Sequence, residues 1–198
     1  MRIVAICGSY RQGGAIDQAV EAVLEGAREK GAETKAFYLR EMYIEFCTNC
    51  RQCMQKPGEE WGKCVQKDDL EKILAEVKRA DALVLGSPVN CYNVTAVFRR
   101  WMERLVGSGY WPWGQPAPKA RRKAAARRAV LVASSAMPGF LIPLASGAAR
   151  ALKLAATLLN ARPVGSMWMG LVAQKPQYEL TPKLRNRARR LGWKLAQG

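Results

Sequence analysis

The fold is decided by the stretch Cys7-Gly8-Ser9-Tyr10-Arg11-Gln12-Gly13-Gly14, which directly follows the apolar run at residues 3–6. A buried strand that ends in glycines and leads into a helical pattern leaves backbone N–H groups at a sheet edge, where they attract anions. Ser9 adds a hydroxyl donor and Arg11 a positively charged fork. Gly13 and Gly14 allow the backbone to approach an anion closely. The spacing matches neither GxGxxG nor GxxxxGKS/T, so a phosphate cradle and a plain strand-to-helix turn both remain open.

The composition bounds the class of protein. With 198 residues, 49% of them hydrophobic, the chain is long enough for one domain with an ample core. No basic region followed by a long apolar segment opens the sequence, and no run approaches about 18 apolar residues, so we expect neither a signal peptide nor a membrane span. We therefore expect a cytoplasmic protein. Six cysteines, four of them between positions 47 and 64, then indicate metal or redox chemistry more than structural disulfides.

Histidine is absent from the sequence, and the charge is unevenly distributed. The first feature excludes mechanisms that need an imidazole as base, nucleophile partner or ligand. Residues 1–103 carry 15 basic and 15 acidic residues, whereas residues 104–198 carry 17 basic residues and one acidic residue. The whole excess of +16 therefore lies in the second half of the chain.

Two basic runs contain much of this excess. One lies at residues 119–128 and the other at residues 183–194. They are typical of solvated basic faces in a protein that binds an anionic cofactor, and affinity for nucleic acid or an anionic membrane is the alternative. We expect binding to polyanions to be non-specific.

Short apolar runs alternate with helical patterns along the chain. The pattern predicts five strands and five helices, and therefore an α/β fold with a doubly wound five-stranded parallel sheet. Ligands of such sheets bind at the carboxyl ends of the strands. Three strand-end loops are predicted there, at residues 7–14, 86–93 and 134–139. After the third loop, one long helix is predicted from Pro143 to about Asn160.

The first two loops carry a family resemblance. With Gly8-Ser9-Tyr10-Arg11-Gln12-Gly13-Gly14 after the first strand and Ser87-Pro88-Val89-Asn90-Cys91-Tyr92-Asn93-Val94 after the third, the chain resembles the NADPH-dependent FMN reductase branch of the flavodoxin-like fold. The resemblance implies a strand order of 2-1-3-4-5. It also implies a single flavodoxin-like domain at residues 1–198, with a cysteine-bearing insertion at about residues 40–67.

The resemblance further implies which residues contact FMN. The first loop would hold the phosphate, and the second would wrap the isoalloxazine ring. The third loop, beginning at Ser134, would lie near the pyrimidine edge or a neighbouring subunit. The residues so assigned are Ser9, Arg11, Gly13 and Gly14 for the phosphate, and Pro88, Val89, Asn90, Tyr92 and Asn93 for the ring. Cys91 lies within the ring loop, where we expect it to touch the flavin without reacting.

One departure from the family concerns the start of the first helix. The family usually places Asn and Thr or Ser there, whereas this chain has Ala15 and Ile16. Two side-chain contacts to the phosphate are therefore missing. The backbone N–H groups of these residues and the positive end of the helix still favour an anion, so we expect weaker retention of FMN but not loss of the site.

The cysteine stretch carries a second resemblance. Cys47, Cys50 and Cys53 at two-residue intervals, followed by Cys64, resemble the compact cluster-binding motif of iron-sulfur flavoproteins, a subset of the same family. A 4Fe-4S cluster is the expectation favoured by this spacing. Zinc bound by four cysteines, unmetallated thiols and a redox disulfide are the alternatives. The link of residues 54–63 is longer than the resemblance implies, so the spacing alone does not assign Cys64 as the fourth ligand.

The function implied by the resemblance is an FMN-dependent oxidoreductase. NAD(P)H or a reduced redox protein would donate electrons, and a quinone, a flavin or another small acceptor would receive them. No catalytic side chain is assigned, because the flavin carries the chemistry. Two alternatives are a non-catalytic electron-transfer flavoprotein that docks an acidic partner, and a flavin-dependent redox sensor that binds polyanions or nucleic acid. The resemblance also implies a homodimer or homotetramer.

Overall fold

The structure is a computed structural model that describes residues 1–121, 127–174 and 177–197. Its strands are β1 (Arg2–Cys7), β2 (Glu33–Tyr38), β3 (Ala82–Pro88), β4 (Gly109–Tyr110), β5 (Lys119–Ala120), β6 (Arg127–Ser134) and β7 (Ala161–Met169). Its α-helices are α1 (Ala15–Arg28), α2 (Leu70–Arg79), α3 (Ala96–Glu103), α4 (Ile142–Ala145), α5 (Ala148–Leu158) and α6 (Pro182–Ala196). Short 3₁₀ helices lie at Leu39–Glu41, Gln52–Met54, Arg104–Ser108 and Gly139–Leu141.

The strands confirm the predicted α/β class. Within the described ranges, five parallel strands form one sheet in the order β2-β1-β3-β6-β7. The predicted order 2-1-3-4-5 is correct only in part, because β4 and β5 come between the third and fourth strands of the sheet. These two short strands form a separate antiparallel hairpin. The sequence pattern does not reveal this hairpin, since a two-residue strand is too short to show alternation.

Burial on both faces explains why the sheet strands are continuously apolar. Residues 3–6 of β1 are inaccessible to solvent, and so are residues 82–85 of β3. One face of the sheet packs against α1 and α6, and the other packs against α2, α3 and α5. Trp101 and Phe98 of α3 lie in the second core and contact each other edge to face, with ring centroids 5.1 Å apart.

The strand register brings three loops to one edge of the sheet. Cys7, the last residue of β1, pairs with Gly86 of β3. Pro88, at the end of β3, pairs with Ser134, at the end of β6. Because parallel strands end on the same side, the loops that follow β1, β3 and β6 leave the sheet beside one another.

The predicted long helix from Pro143 to Asn160 is wrong, because the chain breaks between α4 and α5. Ser146 is extended, and the N–H of Gly147 donates to the carbonyl oxygen of Tyr92 at 2.7 Å. The loop after β3 therefore packs into the break. In the described part of the chain no single helix is long and apolar enough to cross a membrane, although Gly139–Ala145 and Ala148–Leu158, bent by 74°, meet the length and composition criteria together.

Helices α1 and α6 approach each other through glycine. A Cβ atom on Gly192 would lie 2.0 Å from the carbonyl oxygen of Val23, so the backbones contact each other directly. We expect Gly192→Ala to force the helices apart and to lower the free energy of unfolding by about 2 kcal/mol. Urea denaturation measures this loss. Asn186→Ala, on the exposed side of the same helix, is the control and should stay within about 0.5 kcal/mol of the wild type.

Candidate functional site

A cavity of about 820 Å³ lies at the edge where β1, β3 and β6 end. Six of the residues predicted to bind a phosphate line it, all from the first loop and the start of α1: Ser9, Arg11, Gly13, Gly14, Ala15 and Ile16. The second and third loops contribute four further predicted residues: Pro88, Val89, Asn90 and Ser134. The structure therefore brings residues from three distant parts of the sequence to one cavity.

The first loop is held by its own hydrogen bonds. Ser9 is buried, and its hydroxyl accepts from the Arg11 N–H at 3.1 Å and lies 3.2 Å from the Arg11 carbonyl oxygen. Gly13 has φ of +67°, a left-handed conformation that glycine adopts without strain. The N–H groups of Ala15 and Ile16 belong to the first turn of α1 and have no acceptor within the helix. The loop thus directs backbone donors into the cavity.

A buried ion pair beneath the first loop was not predicted. Arg40 Nη1 lies 2.9 Å from Asp17 Oδ2, and both side chains are largely buried. The same Asp17 oxygen accepts from the Gly13 N–H at 2.9 Å, and Arg40 Nη1 also lies within 3.4 Å of the carbonyl oxygens of Ser9 and Arg11. The pair therefore fixes both sides of the loop. An acidic residue in a first helical turn is common, so the sequence contained no signal for this role.

Cys7 lies against the same ion pair. Its sulfur is 3.2 Å from Asp17 Oδ1, and it is fully buried at the end of β1. Burial, and then the Asp17 carboxylate, raise the pKa of the Cys7 thiol well above its ordinary value. A thiol held in this protonated state is a poor nucleophile, so Cys7 serves as a core residue.

The second loop folds into a tight turn. Asn90 and Asn93 exchange backbone hydrogen bonds at 2.8 and 2.9 Å, and Cys91 and Tyr92 between them have φ of +46° and +59°. This conformation is unusual for two residues that are not glycine, and it is a form of strain that occurs at functional sites. The turn displays Tyr92, which is 71% exposed. Cys91, Tyr92 and Asn93 do not line the cavity, unlike the three residues before them.

The cavity is also lined by residues that were not individually assigned to FMN from the sequence. Tyr10 and Gln12 come from the first loop, Ser135 and Ala136 follow β6, and residues 172–174 and 177–178 follow β7. Gln18 of α1 anchors this last segment, since its side chain donates to the Tyr178 carbonyl oxygen at 2.6 Å and accepts from the Leu180 N–H at 2.8 Å. This segment follows β7, a parallel strand that ends at the same edge of the sheet, and that position could have indicated that it lines the cavity.

A second cavity, of about 400 Å³, is lined by the four clustered cysteines: Cys47, Cys50, Cys53 and Cys64. All four are free thiols, so the redox disulfide is not formed in this structure. Within the described residues, no group of three or more Cys, Asp or Glu side chains is arranged to hold a metal ion. The cavity lining contains no carboxylate in the part of the chain that the structure describes, and the four thiols are its candidate metal ligands.

The cysteines differ in their surroundings. Burial, and then the neighbouring Cys64, Cys47 and Cys50, raise the pKa of Cys53. Hydrogen bonds from the Gln52 N–H and the Thr48 hydroxyl lower the pKa of Cys50, which is exposed. The effect of three thiols on the fourth is consistent with their convergence on one cavity.

Arginines brace the cysteine loop. Arg51 lies between the second and third cysteines of the sequence and has φ of +56°. Its guanidinium carbon lies 3.8 Å from the centroid of the Trp111 ring and 4.2 Å from that of the Trp113 ring. Arg121 donates to the carbonyl oxygens of Cys53, Lys56, Gly58 and Gly107 at 2.9 to 3.1 Å. The hairpin β4–β5 and the residues around it therefore cover the loop and hold it in place.

Several arginines of the two basic runs form ion pairs or hydrogen bonds within the protein. Arg185 and Arg189 of α6 pair with Glu25 and Glu29 of α1 at 3.4 and 2.6 Å. In the first run, Arg127 is buried and donates to three backbone carbonyl oxygens. Arg122 and Lys123 of that run lie outside the described residues.

Comparisons with known proteins agree with this geometry. The model of the NADPH-dependent FMN reductase family matches residues 1–176. An iron-sulfur flavoprotein of Archaeoglobus fulgidus is 33% identical over 112 residues, which are 57% of this chain and 49% of that protein. An iron-sulfur flavoprotein of Methanocaldococcus jannaschii is 35% identical over 104 residues, 52% of this chain and 51% of that protein. The alignments thus span about half the length of these curated relatives.

A solved structure shows the same fold. The NAD(P)H:quinone oxidoreductase from Methanothermobacter marburgensis superposes with a TM-score of 0.70 at 20% sequence identity, covering 98% of each chain. At that identity the likeness concerns the fold alone. The family match along residues 1–176 shows that the chain belongs to the NADPH-dependent FMN reductase family, and the solved structures show its flavodoxin-like fold.

Proposed function

We propose that this protein is an FMN-dependent oxidoreductase that takes electrons from NAD(P)H or a reduced redox protein and passes them to a small acceptor such as a quinone or a flavin. One observation carries the proposal. The strand-end cavity combines a glycine-containing loop at the N-terminus of α1 with loops from two neighbouring strands. This arrangement accepts a phosphate at one side and a flat ring at the other.

The phosphate half of the site would use backbone donors and one cation. The N–H groups of Ala15 and Ile16 and the guanidinium of Arg11 are the candidates, with Gly13 and Gly14 allowing close approach. The Ser9 hydroxyl is already engaged with the Arg11 backbone, so its main contribution would be to shape the loop. This distribution gives Arg11 a large share of the binding energy.

The ring half of the site would be formed by the two other loops. Pro88, Val89 and Asn90 lie on one wall, and Ser134 and Ser135 lie beside them. Bound FMN supplies the two-electron chemistry, and no carboxylate or lysine lines the described part of the cavity. The residues of this chain therefore bind and orient the cofactor. The exposed turn at Cys91, Tyr92 and Asn93 is proposed to extend this wall toward the ring or toward a second subunit of a homodimer or homotetramer.

We further propose that the cysteine cavity holds a 4Fe-4S cluster. The four thiols line one cavity, and the repeated two-residue spacing of Cys47, Cys50 and Cys53 favours a cluster over zinc. The four ligands would be Cys47, Cys50, Cys53 and Cys64. The cluster would supply one-electron transfer.

An electron-transfer role without substrate turnover is the second candidate. The excess of positive charge in residues 104–198 favours docking of an acidic redox partner. Salt would weaken such docking strongly, since exposed charges are screened. Purified protein that exchanges electrons with an acidic carrier but does not oxidise NAD(P)H would support this candidate over the enzyme.

Arg11 is the side chain from which we expect the largest effect on FMN binding. Arg11→Ala should raise the Kd for FMN by about 10- to 100-fold, because a charge-assisted hydrogen bond is worth about 1.5 to 3 kcal/mol. Quenching of flavin fluorescence measures the affinity. Arg190→Ala removes an exposed arginine from α6 and should leave the Kd unchanged. An Arg11→Ala protein with wild-type affinity would place the phosphate elsewhere.

The buried ion pair of Arg40 and Asp17 beneath the first loop should contribute to the stability of the protein. Arg40→Gln leaves the Asp17 carboxylate without its cation, and it should lower the free energy of unfolding by about 2 to 3 kcal/mol. Chemical denaturation of the apoprotein measures the loss. The control is Arg28→Gln, which breaks the exposed pair of Arg28 with Glu21 on α1, the helix that carries Asp17. It should lower the free energy of unfolding by less than about 1 kcal/mol. Equal losses in the two variants would contradict the structural role assigned to Arg40.

The metal content of the protein tests the role proposed for the four cysteines. Iron, sulfide, zinc and flavin are measured on one anaerobic preparation of the full chain. The wild type should contain iron and sulfide in equal amounts, and Cys50→Ala should lose most of both while keeping FMN. Cys91→Ala lies outside the cysteine cavity and should retain the iron. Zinc without sulfide in the wild type would contradict the cluster.

A further inference from the structure

The side chain of Arg104 lies fully within the protein beside Cys64. Arg104 begins the 3₁₀ helix after α3, and its side chain is 1% exposed. Its Nη1 atom lies 2.6 Å from Asp68 Oδ2, whose side chain is also 1% exposed, and 2.7 Å from the Glu45 carbonyl oxygen. Its Nη2 atom donates to the sulfur of Cys64 at 3.3 Å. A buried charge is therefore shared between a carboxylate and a thiol.

The Arg104–Asp68 pair joins the two ends of the cysteine segment. Besides Arg104, Asp68 accepts from the N–H groups of Glu45 at 2.9 Å and Leu70 at 3.0 Å. Glu45 stands two residues before the first cysteine, and Asp68 stands four residues after the last. The buried pair therefore closes the loop that carries all four thiols, and it does so at the start of α2.

The long link before Cys64 folds back onto the cysteine loop. The Gly62 N–H donates to the Gly107 carbonyl oxygen at 2.9 Å. A Cβ atom on Gly62 would lie 1.5 Å from the Cys53 carbonyl oxygen, so only glycine fits this approach. The ten-residue link thus returns the chain to the cavity and delivers Cys64 to the guanidinium of Arg104.

One donor of Arg104 has no partner. Its Nε is buried and makes no hydrogen bond within the described residues. An unsatisfied buried donor on a charged group is costly, and an acceptor in the cavity would relieve that cost. Arg104 lines the same cavity as the four cysteines, so a sulfur atom in this cavity could accept the hydrogen bond from Nε.

We infer that Arg104 is a positioning residue that holds Cys64 in the ligand set of the cysteine cavity through an N–H···S hydrogen bond, with Asp68 fixing the guanidinium. The hydrogen bond between Arg104 and Cys64 does not depend on the proposed cluster, whereas its effect on cluster retention and potential does. Hydrogen bonds to the sulfurs and nearby positive charge raise the reduction potential of a cluster. Arg104 therefore assists in both retaining and tuning the group.

The contact is tested first on the apoprotein, with no cluster present. Thermal unfolding is compared for the wild type, Arg104→Lys, Cys64→Ala and the double variant. Lysine preserves a cation for Asp68 but lacks the second arm that reaches the sulfur. The two Tm shifts should be non-additive, with the double variant losing less than the sum of the single losses. Additive shifts would overturn the contact.

The consequence is tested on reconstituted protein. Arg104→Lys should have a lower iron content per chain and a cluster potential shifted to a more negative value, measured by redox titration followed by electron paramagnetic resonance. The double variant Arg104→Gln, Asp68→Asn removes both charges together and should shift the potential in the same direction. Arg100→Lys, on the preceding helix and stacked on Phe46, is the control and should match the wild type.

The two proposals fail in different ways. A wild type that takes up no iron and sulfide sinks the cluster, and the apoprotein cycle then decides the role of Arg104 alone. A wild type that builds the cluster, with full iron and an unshifted potential in both Arg104 variants, overturns the positioning role while leaving the cluster intact.

Discussion

The parallel pairing of β1 with β3, and of β3 with β6, is the constraint on which the site depends. It places Cys7, Pro88 and Ser134 at one edge, so that three loops from distant parts of the sequence form a single cavity. The strands are buried on both faces, and the hydrophobic effect therefore maintains this register. Polar loop residues line the cavity, and apolar residues hold the frame beneath them.

Two buried ion pairs then refine what the strands position. Asp17 and Arg40 shape the first loop from below, and Asp68 and Arg104 close the cysteine loop. Both pairs also hydrogen-bond to backbone atoms of the loop they serve, which is how desolvated charges are made tolerable. A buried ion pair thus supports the loop at each of the two cavities.

Much of the fold could be predicted from the sequence, because its strands are short apolar runs and its helices have clear apolar faces. The first loop was also predictable, since its glycines follow a strand directly. Other features depend on tertiary contacts. The break at Ser146 and Gly147 is set by the Tyr92 carbonyl, and the role of Arg40 is set by Asp17. Neither partner lies near in sequence, so local pattern contained no trace of them.

The cysteine region shows the same limit. The two-residue spacing of Cys47, Cys50 and Cys53 indicated one site, but the length of the link left the place of Cys64 unsettled. In the structure, contacts of Gly62 and Arg104, which lie outside any motif, bring Cys64 to the cavity that the other three cysteines line. Contacts of this kind become visible only when the chain is folded.

The central claim is that the strand-end cavity binds a flavin through its phosphate. The most direct measurement compares the Kd values of the apoprotein for FMN and for riboflavin, which has the same ring and no phosphate. Loss of the charge-assisted contacts should weaken riboflavin binding by about 100-fold relative to FMN. Equal affinities for the two flavins would contradict the account, because the loop Cys7–Gly14 would then have no anion to hold.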